Sequence, residues 1–361
     1  MTKKNKIQVQ KEIALFQNHL KVNPILRDLF FEVTDSCNLN CLHCGSSCLS
    51  SNRNYLDFSL IEKTLNEVAS AYEPSKIWVS ITGGEPLLYA DLMKTIELSR
   101  KLGFRCGMTS NGTLISEEKA KQLADAGLET IAVSIDGLKD THDTLRNRPG
   151  SFEQALKGVE NLRKYGIEAQ VISVIHKKNI HQLNKMFEFF QNHGFYSWRP
   201  VNIEPIGRAK INDELLLDAD EVKLLLDFIK NKRKNPNTEM DVTFACSHFL
   251  PIDYEYEVRD FFFQCGAGVN VASIMVNGDI ASCLDIERRP ELVQGNVKTD
   301  SFIDIWENKF ENLRIDRTEK SKTCFSCEHR HVCGGDSTHT WNFDLNEPNY
   351  CIHKMLKEKL T

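Results

Sequence analysis

The chain has 361 residues, and its 45 lysines and arginines against 50 aspartates and glutamates give a formal net charge of -5. Apolar residues make up 41% and charged residues 26%, which excludes a mainly disordered chain. The acidic balance argues against a general nucleic-acid-binding protein, which carries a basic excess. We expect a cytoplasmic protein, because no apolar run is long enough to cross a bilayer and the first residues lack a secretory signal.

In chain order, residues 11–20 indicate an amphipathic helix, and short β-branched runs then alternate with amphipathic stretches. The runs predict six strands, at 29–34, 77–82, 104–109, 130–135, 169–175 and 198–203. The stretches predict helices at 60–71, 90–102, 117–126, 152–165, 180–192 and 215–234, with Ser59 and Ser116 as N-caps. This alternation predicts a parallel α/β sheet that binds ligands at the carboxyl ends of its strands, whether open or closed into a barrel.

Eleven of the twelve cysteines fall into two groups, one early and one late in the chain. Because disulfides rarely persist in a reducing cytosol, so many cysteines indicate metal or redox chemistry. The early group includes Cys37-Asn-Leu-Asn-Cys41-Leu-His-Cys44, directly after the first predicted strand. Its three thiolates can face one inorganic centre, either zinc with His43 or Cys48 as the fourth ligand, or an iron–sulfur cluster with an open iron. Cys106 stands alone, and core packing is expected there.

The spacing of Cys37, Cys41 and Cys44 resembles the signature of the radical SAM superfamily, with His43 in place of an aromatic residue. The resemblance implies a [4Fe–4S] cluster on these cysteines that cleaves S-adenosylmethionine to a 5′-deoxyadenosyl radical. It also implies a partial (β/α)6 barrel over about residues 29–205. Motifs follow in the family's order, and the resemblance implies that they contact S-adenosylmethionine, with ordinary loop residues as the alternative: Gly83, Gly84, Glu85, Pro86, Ser110, Asn111, Ser134, Asp136 and Arg146.

The late cysteines resemble a SPASM domain, although a lone C-x2-C pair is often a zinc site. The resemblance implies a distal auxiliary iron–sulfur cluster with four thiolates, from Cys324, Cys327, Cys333 and Cys351. A proximal cluster would use Cys265 and Cys283, and Cys246 is the candidate for a third thiolate. Ser337 stands where the family has a further cysteine. We therefore expect one or two auxiliary clusters, and Asp336, Ser337 or water as alternatives at an open iron.

These observations predict four regions: an N-terminal helical extension (1–28), a radical SAM barrel (29–210), a bridging helical region (211–245) and a small cysteine-rich SPASM domain (246–361). The extension is too short for a complete peptide-recognition domain. No catalytic acid or base is assigned. Strand parity places Glu32, Asn111 and Glu204 towards the barrel interior, with packing or loop hydrogen bonding as the alternative.

The segments 198–209 and 256–259 resemble peptide-maturase branches of the superfamily. We therefore expect an oxidoreductase that crosslinks a ribosomally made precursor peptide or protein through a carbon–carbon or thioether bond. Expected partners are that substrate, a reductant such as flavodoxin or ferredoxin, and a separate leader-recognition protein, with no nucleic acid or membrane. The alternatives are peptide epimerisation or sulfatase-type maturation, redox modification of a small molecule or tetrapyrrole, and, in another class, a non-catalytic zinc-ribbon protein.

Overall fold

The computed structural model describes residues 2–49, 51–244 and 247–360. In chain order its strands are β1 (Asp28–Glu32), β2 (Trp78–Thr82), β3 (Arg105–Ser110), β4 (Thr130–Ser134), β5 (Glu168–Ile175), β6 (Ser197–Asn202), β7 (Asp241–Val242), β8 (Val271–Ile274), β9 (Asp279–Ala281), β10 (Gly295–Asn296), β11 (Trp341–Asn342) and β12 (Glu347–Pro348). In this part of the chain, ten strands form one sheet in the order β10-β9-β8-β1-β2-β3-β4-β5-β6-β7.

Strands β1 to β7 pair as parallel neighbours in chain order. Phe31 of β1 lies opposite Ile81 of β2, and Ile81 lies opposite Met108 of β3. Because the carboxyl ends of parallel strands meet at one edge, the loops after these strands come together there.

Helices connect the parallel strands and cover the sheet. In chain order they are α1 (Lys3–Val22), α2 (Phe58–Ala71), α3 (Leu92–Lys101), α4 (Glu117–Asp125), α5 (Lys139–Arg146), α6 (Ser151–Lys164), α7 (Leu183–Asn192), α8 (Ala219–Lys234), α9 (Phe302–Asn308), α10 (Glu311–Arg314), α11 (Lys322–Phe325), α12 (Arg330–Cys333) and α13 (Ile352–Leu360). None of the helices in the described ranges is both long and apolar enough to cross a membrane.

The core lies between the sheet and these helices. In α6 the buried apolar residues Phe152, Ala155, Val159 and Leu162 recur every three or four positions, which puts them on one face. Burial alternates strictly along β5. The apolar periodicity of the sequence therefore sets which side of each element enters the core.

The predicted α/β class and its parallel sheet are confirmed, and each of the six predicted strands lies within two residues of an observed one at both ends. Ser116 is an N-cap, as predicted, because its hydroxyl accepts from Lys119 N at 3.1 Å. Ser59 is not: the helix begins one residue earlier, and Asp57 caps it by accepting from Ser59 N at 2.8 Å. Cys106 is fully buried in β3, as expected.

The cysteine-rich C-terminal part extends the same sheet. Strand β8 pairs parallel with β1, with Phe30 opposite Ser273, and β9 and β10 follow as antiparallel neighbours. The sheet thus contains strands from both sides of the domain boundary that the sequence analysis predicts at residue 246. Glu32 at the end of β1 pairs with Arg288 and accepts from Val276 N at 3.0 Å, so β1 is bound firmly to the C-terminal part.

Candidate functional site

Three cysteine thiols lie in the loop that follows β1. Cys37 and Cys41 keep only 9% and 6% of their surface exposed, and Cys44 packs against them. Leu39 N lies 3.4 Å from the Cys37 sulfur, and Arg146 Nη1 lies 3.6 Å from the Cys41 sulfur. Donors placed at these sulfurs stabilise negative charge on them, which suits thiolate ligands of a metal centre.

The protonation of these thiols depends on what binds them. Burial raises the pKa of Cys37 to about 12 and also raises the pKa of Cys41. The pKa of Cys44 is lowered to about 6, first because the Cys48 thiol hydrogen-bonds to its sulfur and also because Arg208 is nearby. Because a metal deprotonates the thiols that bind it, the buried pair suits ligation to a positively charged centre.

The glycines after β2 lie directly against the cysteine loop. Gly84 N donates to Thr34 O at 2.7 Å, and Glu85 N donates to Ser36 O at 2.9 Å. A Cβ on Gly84 would lie 2.2 Å from Ser36 O, and one on Gly83, at φ +150°, would lie 2.3 Å from Thr34 O. Only glycine permits so close an approach, so these two residues bring the two loops together.

Glu85 lies inside the protein and connects two of the predicted motifs. Its carboxylate is fully buried and accepts hydrogen bonds from Ser110 Oγ at 2.8 Å, Asn111 N at 2.8 Å and Leu87 N at 3.2 Å. Pro86 begins the short turn that supplies the Leu87 donor. Because Ser110 and Asn111 donate to this carboxylate, Glu85 orients both residues. The predicted contact of Glu85 with a ligand stays a prediction.

Asp136 and Arg146 form a buried ion pair beside the cysteine loop. Arg146 Nη2 lies 2.5 Å from Asp136 Oδ2, and Val174 N donates to Asp136 Oδ1 at 2.8 Å. Burial alone would raise the pKa of Asp136, but Arg146, His43, His142 and the hydrogen bond from Val174 N together outweigh it and lower that pKa to about 2. Ser134, the last residue of β4, lies partly exposed at the same edge of the sheet.

Within the described part of the chain, several buried polar atoms around Asp136 have no hydrogen-bond partner. They are His43 Nδ1, His142 Nε2, His176 Nε2 and Arg146 Nε. His43 Nε2 lies 3.7 Å from Asp136 Oδ2, and Asp136 N donates to His142 Nδ1 at 3.0 Å. His176 also lines a cavity of 210 Å³ with Leu42 of the cysteine loop. Because buried polar groups are normally paired, these atoms fit a polar ligand bound next to the thiols.

Four late cysteines, predicted to hold the distal cluster, lie in the C-terminal part of the chain. Cys324 and Cys327 lie close enough to Cys351 to raise the pKa of its thiol. Cys351 in turn raises the pKa of the Cys333 thiol. Burial raises the pKa of Cys351 to about 12, whereas Cys327 is exposed. The four cysteines predicted for the distal site thus lie within electrostatic range of one another, and Cys327 among them lies at the surface.

The predicted proximal site is less complete. Cys265 Sγ lies 3.2 Å from Thr338 Oγ1 and 3.4 Å from Thr338 N. Ser337, which replaces a cysteine of the family pattern, is buried, and its hydroxyl accepts from His248 N at 3.3 Å. Cys283 follows β9 and is partly buried, and Cys246 lies outside the described residues.

A buried ionic network joins the loop after β6 to the C-terminal part. Glu204 pairs with His339 and, through Oε1, with His248 Nε2 at 3.0 Å, and His248 Nδ1 lies 3.3 Å from Asp336 Oδ2. Against the effect of burial, Glu204 raises the pKa of His339 to about 9. Asp336 Oδ1 also accepts from Phe249 N at 3.0 Å. Sequence reasoning missed His248 because no motif surrounds it, and it left Glu204 open between a site and a packing role.

Two family models match the chain. That of the radical SAM superfamily matches residues 31–190, and that of the SPASM iron–sulfur cluster-binding domain matches residues 265–328. The first match contains Cys37, Cys41 and Cys44 and runs from β1 into α7. The second contains Cys265, Cys283, Cys324 and Cys327.

Curated relatives and solved structures resemble the chain over most of its length. The AdoMet-dependent heme synthase of Oleidesulfovibrio alaskensis is 30% identical over 328 residues, which is 87% of this chain and 83% of that protein. The mycofactocin maturase MftC of Mycolicibacterium smegmatis is 27% identical over 85% of this chain and 76% of that protein. In fold, the chain is similar to native anSMEcpe with bound AdoMet and Cp18Cys peptide, with a TM-score of 0.73 and 21% identity over 93% of this chain and 96% of that one.

Proposed function

Because the chain belongs to the radical SAM superfamily and carries a C-terminal SPASM domain, we propose that it is an oxidoreductase that modifies a tetrapyrrole by radical chemistry. Its cofactors are S-adenosylmethionine, a [4Fe–4S] cluster and one or two auxiliary iron–sulfur clusters. The 30% identity to a heme synthase over 87% of the chain carries the proposed substrate class.

The residues described above suit these cofactors. Cys37, Cys41 and Cys44 would hold the [4Fe–4S] cluster and leave one iron for S-adenosylmethionine. When bound at these residues, the cluster and S-adenosylmethionine would supply a 5′-deoxyadenosyl radical for removal of a hydrogen atom from the substrate, and an auxiliary cluster would be the acceptor for the remaining electron. We assign S-adenosylmethionine contacts to Gly83, Gly84, Ser110, Asn111, Ser134, Asp136 and Arg146.

The chain's own residues hold this site in shape. Gly83 and Gly84 let the second loop lie against the cysteine loop, and the buried Glu85 carboxylate fixes the backbone of Asn111 at 2.8 Å. Arg146 places a positive charge between Asp136 and the Cys41 sulfur. A preorganised cation there offsets the negative charge of the thiolates without a reorganisation of solvent.

For the auxiliary clusters we assign two sites. Cys324, Cys327, Cys333 and Cys351 would hold the distal cluster with four thiolates. Cys265 and Cys283, with Cys246, would hold a proximal cluster where one is present. The match to an iron–sulfur domain argues against the zinc-ribbon hypothesis.

A partly exposed cation near the cysteine loop supports a substrate with carboxylate side chains. The Arg288 guanidinium pairs with Glu32 at the end of β1, yet 46% of its side chain remains exposed. Its positive charge also favours the thiolate form of Cys48 in the cysteine loop. Tetrapyrroles carry carboxylate groups, which guanidinium binds in a two-pronged geometry.

A peptide substrate is the second candidate, because the chain is 27% identical to the mycofactocin maturase MftC over 85% of its length. Under this hypothesis the radical chemistry crosslinks, epimerises or otherwise matures a ribosomally made peptide. A separate leader-recognition protein then supplies substrate recognition. Either hypothesis needs a reductant such as flavodoxin or ferredoxin. Under both, we propose that the protein acts in the reducing cytoplasm, where thiolate clusters persist.

The test compares both substrates with one anaerobic, iron-loaded preparation of the full chain. Iron coproporphyrin III, or a short peptide encoded beside the gene, is added with S-adenosylmethionine and dithionite. The tetrapyrrole hypothesis expects the porphyrin to increase 5′-deoxyadenosine formation and to lose carbon dioxide and two hydrogens per modified propionate. The Cys37→Ala variant is the matched control and should form neither product.

Other outcomes favour the second candidate. A peptide that loses two hydrogens while the porphyrin stays unchanged would replace the tetrapyrrole proposal with crosslinking. Altered chirality at constant peptide mass would indicate epimerisation instead.

A further inference from the structure

The loop that carries the three cysteines is also held by the segment after β6. The segment after β6 lies along it: Arg208 N donates to Cys44 O at 3.0 Å, and Asn212 Nδ2 donates to Leu42 O at 2.8 Å. Gly207, at φ +50°, lies so close that a Cβ there would be 2.2 Å from Gly45 O. This glycine therefore permits a direct backbone contact between the segment and the loop.

The side chain of Arg208 completes this contact. Its Nε donates to Cys41 O at 2.7 Å, and its Nη1 donates to Cys48 O at 3.0 Å. These carbonyls belong to an irregular, partly buried loop that offers them few backbone donors, and unpaired buried carbonyls are costly. The rigid, planar guanidinium joins two carbonyls seven positions apart in the chain, so it fixes the curvature of the loop between them.

Arg208 also brings a permanent charge to this loop. Lysine in its place would keep the charge but would lack the fixed fork of donors. Because reduction adds negative charge to a bound cluster, a nearby cation favours the reduced state. The same residue therefore has two separable effects, one on loop geometry and one on electrostatics.

We propose that Arg208 is a positioning residue for the [4Fe–4S] cluster on Cys37, Cys41 and Cys44. It holds the carbonyls of Cys41 and Cys48 at a fixed separation, retains the cluster and favours its reduction. This inference rests on the assignment of the cluster to these cysteines and is independent of the substrate class.

The test uses the full chain, loaded with iron under anaerobic conditions and without substrate. Arg208→Gln removes the charge and the fork, Arg208→Lys removes only the fork, and Lys210→Gln is the matched control, because Lys210 is exposed on the same segment and pairs with Glu287 at 3.2 Å. Measurements are iron per chain, the rate of iron loss to a chelator, and a redox titration followed by electron paramagnetic resonance. The variant with Cys37, Cys41 and Cys44 all changed to Ala identifies the signal of this cluster.

In Arg208→Gln we expect this cluster to lose iron about 10- to 100-fold faster, the factor that corresponds to one lost hydrogen bond to a charged group. Its midpoint potential should fall, while the auxiliary signals stay unchanged. Arg208→Lys should restore the potential but not the retention, and Lys210→Gln should match the unchanged protein.

Two results would overturn the proposal. One is an Arg208→Gln protein with unchanged iron retention and midpoint potential. The other is equal loss of iron from the auxiliary clusters, because that would assign Arg208 to overall folding. The tetrapyrrole hypothesis is tested only by product formation, so each idea can fail without the other.

Discussion

The two cysteine regions of this protein differ in how the surrounding chain encloses them. The N-terminal thiols lie in one loop that is held by the glycines after β2, by Arg146 and by the segment after β6. Among the distal thiols, Cys324 and Cys333 lie on the short helices α11 and α12, Cys351 directly precedes α13, and Cys327 is exposed. A radical site must exclude water, whereas a centre that only exchanges electrons can lie near the surface.

The proximal cysteines lie between these extremes. Thr338 contacts the sulfur of Cys265, and the buried pairs of Glu204 with His339 and His248 connect that region to the loop after β6. The same loop continues into Arg208, which holds the N-terminal thiols. The connection between the two regions is thus polar and hydrogen-bonded.

The largest effect is expected when the three thiols of the enclosed N-terminal region are removed. Changing Cys37, Cys41 and Cys44 together to Ala should remove about four irons per chain and abolish S-adenosylmethionine cleavage. The auxiliary iron should stay, because its ligands lie elsewhere in the chain. Iron and sulfide analysis with a 5′-deoxyadenosine assay measures both. Cys106→Ala is the control, because Cys106 is buried in β3 away from the site, and zinc with little iron in the parent protein would contradict the assignment.

A second prediction compares the two C-terminal sites. Cys324→Ala should lower the iron content by about four per chain, because it removes one of four thiols brought together at the distal site. Cys265→Ala should cost less iron, since the position of the missing family cysteine is filled by Ser337, whose hydroxyl is bonded to His248 N. Equal losses in the two variants would show that the proximal site holds a complete cluster of its own.

The third prediction concerns the buried carboxylate behind the enclosed region. Glu85→Gln keeps the shape but offers an amide where Ser110, Asn111 and Leu87 now donate to a carboxylate. We expect about 3 kcal/mol lower stability, because at least one buried donor loses its acceptor, and weaker S-adenosylmethionine binding. Anaerobic denaturant unfolding and equilibrium binding measure these effects, and the exposed Glu97→Gln is the control. Weaker binding at unchanged stability would place Glu85 in contact with the ligand after all.

The sequence predicted the parallel strands well because each is a short apolar run that is buried in the core. It did not predict α5, since Lys-Asp-Thr-His-Asp-Thr-Leu-Arg contains one apolar residue and so carries no periodicity. The Asp57 cap was missed because Ser59 is an equally good capping residue by type.

The candidate site was predicted only where its residues form motifs. The cysteines and glycines follow spacings that can be read from the chain. Glu204, His248, Asp336 and His339 come together from three distant segments, and Arg208 reaches a loop more than 150 residues away, as its bond to Cys48 O shows. Such contacts depend on how the strands and loops are arranged in space, and no local pattern records them. The substrate class is likewise absent from the motifs, which serve the cofactor.

The smallest expected effect tests the polar connection between the two regions through pH. His339 is held between Glu204 and Asp285, with Cys265 also near, and its pKa is raised to about 9. A raised histidine pKa gives stability that is fully present below the unfolded value of about 6.5 and is lost as pH rises through about 9. Unfolding of the iron-loaded protein should therefore become easier as the pH rises through that window. His339→Gln should flatten this slope, whereas the same slope in the variant would assign the pH dependence to other groups and remove His339 from the connection.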